Sequence, residues 1–203
     1  MLAAMRPKQR GVTLIESIVV LAIMAAVVAF ATPSFIDMMI TQRMRGMDAQ
    51  LTTDLQFARS QALALNTQVR VIAGSNTSLS CYAVIATDTP SLCDCTKTPG
   101  SICSGSAVEI RTVQVDQSSS VSIGSIAPAT SSLVFYPVDG STNPYKGDAA
   151  VTPTPIVFSI SIDGGTGSRK KRLTTTIQTT GRPSVCYDSS YATISGFPVC
   201  PKS

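Results

Sequence analysis

One segment near the start of the chain limits what it can be: residues 12–31 are apolar apart from a single acid, Glu16. These 20 residues would extend about 30 Å as a helix, which is long enough to cross a bilayer once. A carboxylate in hydrocarbon costs about 2.5–3.5 kcal/mol on insertion scales, so we expect Glu16 to have a function there. Arg6, Lys8 and Arg10 precede the run without an acid, which predicts that this end stays in the cytoplasm.

An uncleaved signal anchor and a secretory signal peptide are the ordinary explanations of such a run. A secretory apolar region is about 7–15 residues long and ends at a cleavage site of small residues. The run in this chain is longer, and it leads directly into more helical sequence. The pattern therefore favours a segment that is kept in the mature protein.

The start of the run has a more specific pattern. Residues 11–16, Gly-Val-Thr-Leu-Ile-Glu, resemble the type III signal of type IV pilins and pseudopilins. The resemblance implies that a prepilin peptidase cuts between Gly11 and Val12 and methylates Val12 as the new N-terminus. The family more often has Phe or Met at that position. A start at Met5 instead of Met1 would give a leader closer to the usual length.

Two positions in the helix also match the pilin pattern. Glu16 corresponds to the acidic residue five positions into the mature chain, which implies that it pairs with the N-terminal ammonium of a neighbouring subunit during assembly. Pro33 falls where many pilins place a helix-kinking proline. The spacing of Gly11, Glu16 and Pro33 makes this a specific signal.

Past Pro33 the helical pattern continues and becomes amphipathic, which predicts one helix of more than 50 residues that ends near Asn66. One stripe is apolar and recurs every three or four residues: Met44, Met47, Leu51, Leu55, Ala58, Ala62 and Leu65. Polar residues lie off that stripe: Arg45, Asp48, Thr52, Arg59 and Gln61.

The rest of the chain reads as short β-prone runs separated by Gly, Pro, Ser and Asn. The candidate strands are residues 69–73, 82–87, 108–115, 121–126, 133–136, 156–162 and 173–178. Residues 87–106 and 139–155 read as surface loops, the first held by disulfides. We therefore predict an α+β fold in which the long N-terminal helix packs on an antiparallel sheet.

Two further segments resemble the GspH/FimT branch of the pilin superfamily. Residues 54–62, Asp-Leu-Gln-Phe-Ala-Arg-Ser-Gln-Ala, resemble its conserved helix, with Gln61 in place of the usual glutamate. Residues 158–182, which end in Gly181-Arg182, resemble its C-terminal strand pattern. The resemblance implies a pilin-like fold with a C-terminal disulfide loop, and a structural role as a minor pilin or pseudopilin. The filament would be a type IV pilus or a type II secretion pseudopilus, and the disulfide loop and chain length favour the pilus.

This reading divides the chain into four segments. We expect a leader at 1–11, a membrane-spanning and filament-core helix at 12–33, the amphipathic half of the helix at 34–66, and a periplasmic β domain at 67–203. The implied partners are other major and minor pilins, the prepilin peptidase and the inner membrane. The protein would cross that membrane once, with its C-terminal domain in the periplasm, before it enters the filament.

Composition disfavours a membrane-anchored enzyme. The chain has no histidine and only 12 acidic residues in 203, so the commonest general base and metal ligand are missing. No phosphate-loop, GxGxxG, HExxH or GxSxG pattern occurs, and the glycine-rich stretch 163–167 reads as a hairpin turn. We expect no catalytic activity and no cofactor.

Six cysteines in an exported chain indicate an oxidising compartment, here the periplasm. Cys186 and Cys200 lie 14 residues apart around a loop-like segment, and closing such a loop stabilises by about 3 kcal/mol in the chain-entropy model. They resemble the C-terminal disulfide of many pilins. The other four cysteines, Cys81, Cys93, Cys95 and Cys103, allow three pairings. A bond between Cys93 and Cys95 is the least favoured. Zinc is the alternative, but these four lack a matched second pair or any histidine.

DNA binding is the alternative function. Some FimT proteins bind DNA during natural transformation through a Gly-Arg-x-Arg motif, which Gly181 and Arg182 match but Ser184 does not. Four cations lie upstream, where they would contact phosphates or simply form a solvated turn: Arg169, Lys170, Lys171 and Arg172. Removal of three leader cations from 16 leaves 13 against 12 acidic residues, so net charge does not favour DNA.

Overall fold

A computed structural model describes most of the chain. The described residues are Gly11, 13–87, 93–128, 131–146, 149–150 and 158–201, with the side chains of 31–33, 125, 131 and 144–150 left aside. The predicted loop region 139–155 and the first two residues of the predicted strand 156–162 thus lie partly outside them. The chain divides into two compact units, Met1–Met38 and Met39–Ser203.

The helix α1, Leu14–Leu65, begins in the first unit and is 52 residues long, as its periodicity predicts. Between residues 14 and 30 all side chains are exposed, and nearly all of them are apolar. The helix is long and apolar enough to cross a membrane by length and composition. A helix that is apolar on every side needs a non-aqueous environment, because no one face is reserved for a protein core.

In the second unit α1 buries one stripe. Met44, Leu51 and Leu55 are fully buried, as are two alanines of the predicted stripe, Ala58 and Ala62. Two expectations for this stripe are wrong. Leu65 is half exposed because it is the last residue of α1, whose end is marked by Asn66 with φ 50°. Asp48 was expected off the stripe and is buried, for a reason given below.

The strands form two antiparallel sheets. The first, sheet A, has the order β3-β2-β1-β5-β6-β7, and the second, sheet B, has the order β10-β9-β8-β4. Sheet A consists of β1 Val69–Ser75, β2 Leu79–Ala86, β3 Val108–Asp116, β5 Ser131–Phe135, β6 Thr142–Lys146 and β7 Ala149–Ala150. Sheet B consists of β4 Val121–Ala127, β8 Phe158–Gly164, β9 Lys171–Ile177 and β10 Pro183–Tyr187.

Both sheets contribute to one main core with α1. Along β9, Lys171, Leu173, Thr175 and Ile177 are buried while the residues between them are half-buried, which is the period-two burial of a strand. The other buried aliphatic and aromatic residues of this core include Val71, Tyr82, Leu133, Phe135, Phe158, Ile160 and Ile162. At Gly164 a Cβ would lie 2.4 Å from the Met44 Sδ, so only glycine lets β8 approach α1 this closely.

Sheet A is buried on its second face as well. Every residue from Ser80 to Ala86 in β2 is buried, because alternate side chains enter two different cores. Cys81, Ala83 and Ile85 pack with Cys95 and Ile102 of the loop between β2 and β3, apart from the main core. The segment predicted as a surface loop held by disulfides therefore covers this second face of sheet A.

Seven candidate strands are confirmed as β1–β5, β8 and β9, with ends shifted by a few residues. Three strands were missed. β6 and β7 lie in a stretch predicted as loop, and Pro144 within β6 lowered its β signal. β10 begins at a proline and is only 5 residues long.

Candidate processing site and assembly surfaces

The predicted cleavage site lies just before the helix. Gly11 is exposed and non-helical, and a Cβ on it would have no neighbour within 4 Å. Val12 lies outside the described residues. Thr13 caps α1, since its Oγ1 accepts from the Glu16 N–H at 3.4 Å and its carbonyl accepts from the Ser17 N–H at 3.2 Å. Gly11 is therefore non-helical, and α1 begins at Leu14.

Glu16 lies in the first helical turn, where a negative charge is favourable because the free N–H groups carry partial positive charge. It is exposed, and the next charged residue along α1 is Asp37. Pro33 lies within the helical span, and its side chain is not among those described. The arrangement presents one carboxylate at the start of a helical stretch whose next 20 residues, 17–36, carry no charge.

The four cations upstream of Arg182 do not form one surface turn. Arg169 ends a short 3-10 turn, Gly167–Arg169, and Lys170 follows it, whereas Lys171 and Arg172 begin β9. Lys171 is 6% exposed, and its Nζ donates to the Thr41 Oγ1 at 2.8 Å. The expectation of four solvated cations on a turn is wrong for Lys171 because its position in β9 faces α1.

Arg172 is engaged inside the fold. Its Nε and Nη2 donate to the two carboxylate oxygens of Asp163 at 2.6 and 2.8 Å, and its guanidinium lies 4.6 Å from the ring centroid of Tyr191. Hydrogen bonding to Asp163 raises the pKa of Arg172, so it is charged at all ordinary pH values. This bidentate pair joins neighbouring strands β8 and β9 and is unavailable to a phosphate.

Arg182 is exposed but lies at the other end of the hairpin. Pro183 pairs with Ile177 at the end of β9, whereas the basic residues lie at its beginning. The six-residue separation along β9 corresponds to about 20 Å. Gly181 has φ 75°, and a Cβ there would lie 2.7 Å from the Gly140 carbonyl oxygen, so both backbone conformation and packing favour glycine at this position.

The C-terminal cysteines form the disulfide Cys186–Cys200. The loop that it closes is joined to α1, because Arg45 Nη2 donates to the Ser195 carbonyl at 2.6 Å. The side chain of Ile194 is buried in the main core. The loop is therefore part of the tertiary structure and not an appendage.

The other four cysteines form Cys81–Cys95 and Cys93–Cys103, so the disfavoured bond between Cys93 and Cys95 is not made. The loop has further contacts with β3: the Gln114 Nε2 donates to the carbonyls of Cys95 and Lys97 at 2.8 and 2.7 Å. Sequence reasoning left this pairing open, since it depends on how the loop between β2 and β3 folds: Cys93 and Cys103 form an isolated bridge, and Cys95 packs on Cys81 of β2.

Two buried carboxylates of α1 were not recognised as structural groups. The Asp48 Oδ1 accepts from the Thr175 hydroxyl of β9 at 2.7 Å, and burial raises the pKa of Asp48. Asp54 accepts from the Tyr82 hydroxyl at 2.7 Å and lies 3.0 Å from Arg111 Nη1. Burial and the Asp54 charge raise the pKa of Tyr82 above its ordinary range. Each carboxylate thus joins α1 to a different sheet.

These features define a class of protein: a subunit with one apolar N-terminal helix that continues into the core of an antiparallel α+β unit, as in type IV pilins. A model of the prokaryotic N-terminal methylation motif matches residues 6–32, and a family model described as type II transport protein GspH matches residues 49–181. The second match spans more than half of the chain. The chain therefore belongs to the GspH family. No curated protein and no solved structure matched the chain significantly.

Membership makes the protein a minor pilin or pseudopilin, a structural subunit from a family that is not one of enzymes. The methylation motif and the apolar helix agree with anchoring in the inner membrane.

Proposed function

We propose that this protein is a minor subunit of a type IV pilus, matured by cleavage after Gly11 and methylation of Val12, with its C-terminal unit in the periplasm. The observation that carries the proposal is the change along α1 from complete exposure to a buried stripe. The side chains of residues 14–30 are exposed, while Met44, Leu51 and Leu55 are buried in the core of the second unit. The first part is thus available for lipid before assembly and for other apolar helices afterwards.

Glu16 is the specific group in this proposal. A carboxylate in an apolar environment needs a cationic partner, and cleavage creates one as the ammonium of Val12 on a neighbouring subunit. The peptidase step therefore does more than remove the leader, because it produces the positive charge that Glu16 requires. The proposed segments are the leader at 1–11, the core helix at 12–33, the second helical half at 34–66 and the β domain at 67–203.

The test separates processing from assembly. Gly11→Val is expected to block the peptidase, so that the precursor accumulates in immunoblots of whole cells. Glu16→Ala is expected to leave cleavage intact but to remove the protein from sheared filaments. Glu16→Gln is the matched control for side-chain size, and we expect it to fail in assembly as well. Trimmed and assembled Gly11→Val protein would contradict the proposal, as would normal incorporation of both Glu16 variants.

The choice of pilus over secretion pseudopilus has a separate test. Deleting the gene should reduce surface filaments and leave the export of folded proteins unchanged. Loss of protein secretion with filaments intact would place the subunit in a type II secretion pseudopilus instead.

The geometry does not favour DNA binding through the five cations as a group. Lys171 is buried, Arg172 is paired with Asp163, and Arg182 lies about 20 Å along the hairpin from the others. We expect the unit Met39–Ser203 to show no measurable binding to duplex DNA in a titration at about 0.15 M salt. A salt-dependent micromolar complex that is lost with Arg182→Ala and Lys170→Glu would restore this alternative.

A further inference from the structure

The strand β3 is an edge of sheet A. Its nine residues, Val108–Asp116, pair with β2 on one side, and no strand in the described part of the chain pairs with the other side. An unpaired strand edge presents a row of N–H and C=O groups that can pair with another extended chain. The opposite case is β10, where the Tyr187 N–H donates to the Pro198 carbonyl and the C-terminal loop thereby covers part of the edge.

The direction of the β3 amides follows from the ladder. The Gln117 N–H donates to the Ser78 carbonyl at 2.8 Å, so residue 117 bonds towards β2. Residues of an antiparallel strand alternate between the two sides, and therefore Val115 and Val113 also bond to β2. The backbone N–H and C=O groups of Thr112 and Gln114 consequently point away from the sheet.

The charges that often guard such an edge are engaged within the subunit. The Glu109 carboxylate accepts from the Gly100 N–H at 2.7 Å and from the Thr112 hydroxyl at 2.6 Å. Arg111 is paired with Asp54 of α1. Asp116, at the end of the strand, is exposed and accepts from the Ser118 N–H at 2.7 Å. Between Arg111 and Asp116 the strand carries no charge, so electrostatic protection against strand pairing is weak at Thr112 and Gln114.

Grooves lie at both ends of β3, between this strand and α1. At its start, Leu65, Ala86, Val108 and Ile110 line an open and mostly apolar cavity of about 540 Å³. At its end, Met47, Val115 and Val121 help to line a second one of about 270 Å³, which Arg43 and Ser120 also line. Val108 is 62% exposed at the first groove.

We propose that the β3 edge accepts an extended segment of a different pilin-type subunit, which adds a seventh strand to sheet A. The outward amides of Thr112 and Gln114 specify the chemistry of the occupant, an extended backbone, and the first groove specifies an uncharged apolar side chain at one end. This inference rests on the proposed function, because filament assembly brings such a subunit alongside. It adds a second contact to the helix packing of the first unit.

Residue-resolved hydrogen exchange of the full chain provides the test. The chain is compared in dilute detergent solution and in sheared filaments. In detergent we expect fast exchange at Thr112 and Gln114 and slow exchange at Val113 and Val115, which bond to β2. In filaments the exchange of Thr112 and Gln114 should slow by at least about tenfold, while the inward amides change little.

Two substitutions and one control test the same edge in cells. Val108→Glu places a charge in the first groove and should reduce incorporation into filaments at least about tenfold, because that carboxylate loses its water on docking. Val138→Glu is the matched control, since Val138 is 90% exposed and lies outside β3. Thr112→Pro removes the outward N–H and the hydroxyl that donates to Glu109, but no backbone bond to β2. It should therefore reduce incorporation while the melting temperature stays above that expected for a disrupted β2–β3 ladder.

The outcomes separate the two proposals. If the chain never enters filaments, both the proposed function and this inference are wrong. If it enters filaments with Thr112 and Gln114 still in fast exchange, or if Val108→Glu and Thr112→Pro both assemble like Val138→Glu, only the inference is wrong. Protection in detergent that disappears on dilution would identify a second copy of this chain as the occupant and would contradict the proposal.

Discussion

Two of the disulfides, Cys186–Cys200 and Cys81–Cys95, lie in different parts of the core. Cys186–Cys200 and Cys81–Cys95 each join residues 14 apart in sequence. The C-terminal loop inserts Ile194 into the main core and is joined to α1 through Arg45. Cys81–Cys95 instead lies in a separate small core on the second face of sheet A, where both cysteines pack with Ile102 of the adjoining segment closed by Cys93–Cys103. A disulfide framework alone therefore does not show which part of the core depends on each bond.

Replacing each disulfide by alanines is the strongest test of this difference, because equal separation makes the chain-entropy contribution equal, about 3 kcal/mol each. We expect the pair Cys186→Ala and Cys200→Ala to lower the free energy of unfolding of the unit Met39–Ser203 by about 3–5 kcal/mol, since Ile194 and the α1 contact are lost as well. The pair Cys81→Ala and Cys95→Ala should cost less, because only the packing of the small second core is lost with the bond. Denaturant titration measures both, and a larger cost for the second pair would contradict the comparison.

A smaller effect is expected when the bonds stay and only the packing changes. Ile194→Ala and Ile102→Ala remove the same atoms from side chains that are both almost completely buried. We expect Ile194→Ala to lower the global free energy of unfolding by about 2–4 kcal/mol, as for other large-to-small core substitutions.

Ile102→Ala should lower global stability less and should mainly speed hydrogen exchange in residues 93–103 and along β2. Equal losses of global stability for the two isoleucine variants would show that the small core is continuous with the main one.

The smallest expected effect is the pH dependence that Asp48 gives to the stability of the main core. Because burial raises the folded-state pKa of Asp48, the folded unit binds more protons than the unfolded chain in the range between the two pKa values. Its contribution to stability is therefore complete below the unfolded pKa and decreases as pH rises through the folded pKa.

Asp48→Asn should remove this dependence and change stability at neutral pH by no more than about 1 kcal/mol, because an amide oxygen can still accept from Thr175. Thermal unfolding between pH 3 and pH 7, roughly the acid range of carboxyl titration, measures the slope. An unchanged slope in Asp48→Asn would contradict the assignment.

Long and repetitive patterns were predicted well. The helix through residues 14–65 follows from an apolar run joined to a stripe at every third or fourth position, and both signals are local. Strands with clear β-prone runs, such as β8, were also recognised. β6 and β10 were missed because both contain proline, and their pairing with β5 and β9 overrides the local preference.

The sequence by itself determined the class of protein: the Gly11 signal, Glu16 within an apolar run and the length of the helix require no tertiary information, because each acts through local chemistry or membrane thickness. Only the tertiary structure decided which charges are free. Lys171 and Asp48 look like solvated residues in the sequence, yet the packing of β9 on α1 buries both. The open edge of β3 also depends on strand order and register, and the pairing of Cys81, Cys93, Cys95 and Cys103 depends on how the loop between β2 and β3 packs on β2. Neither can be read from local sequence, because each arises from tertiary packing.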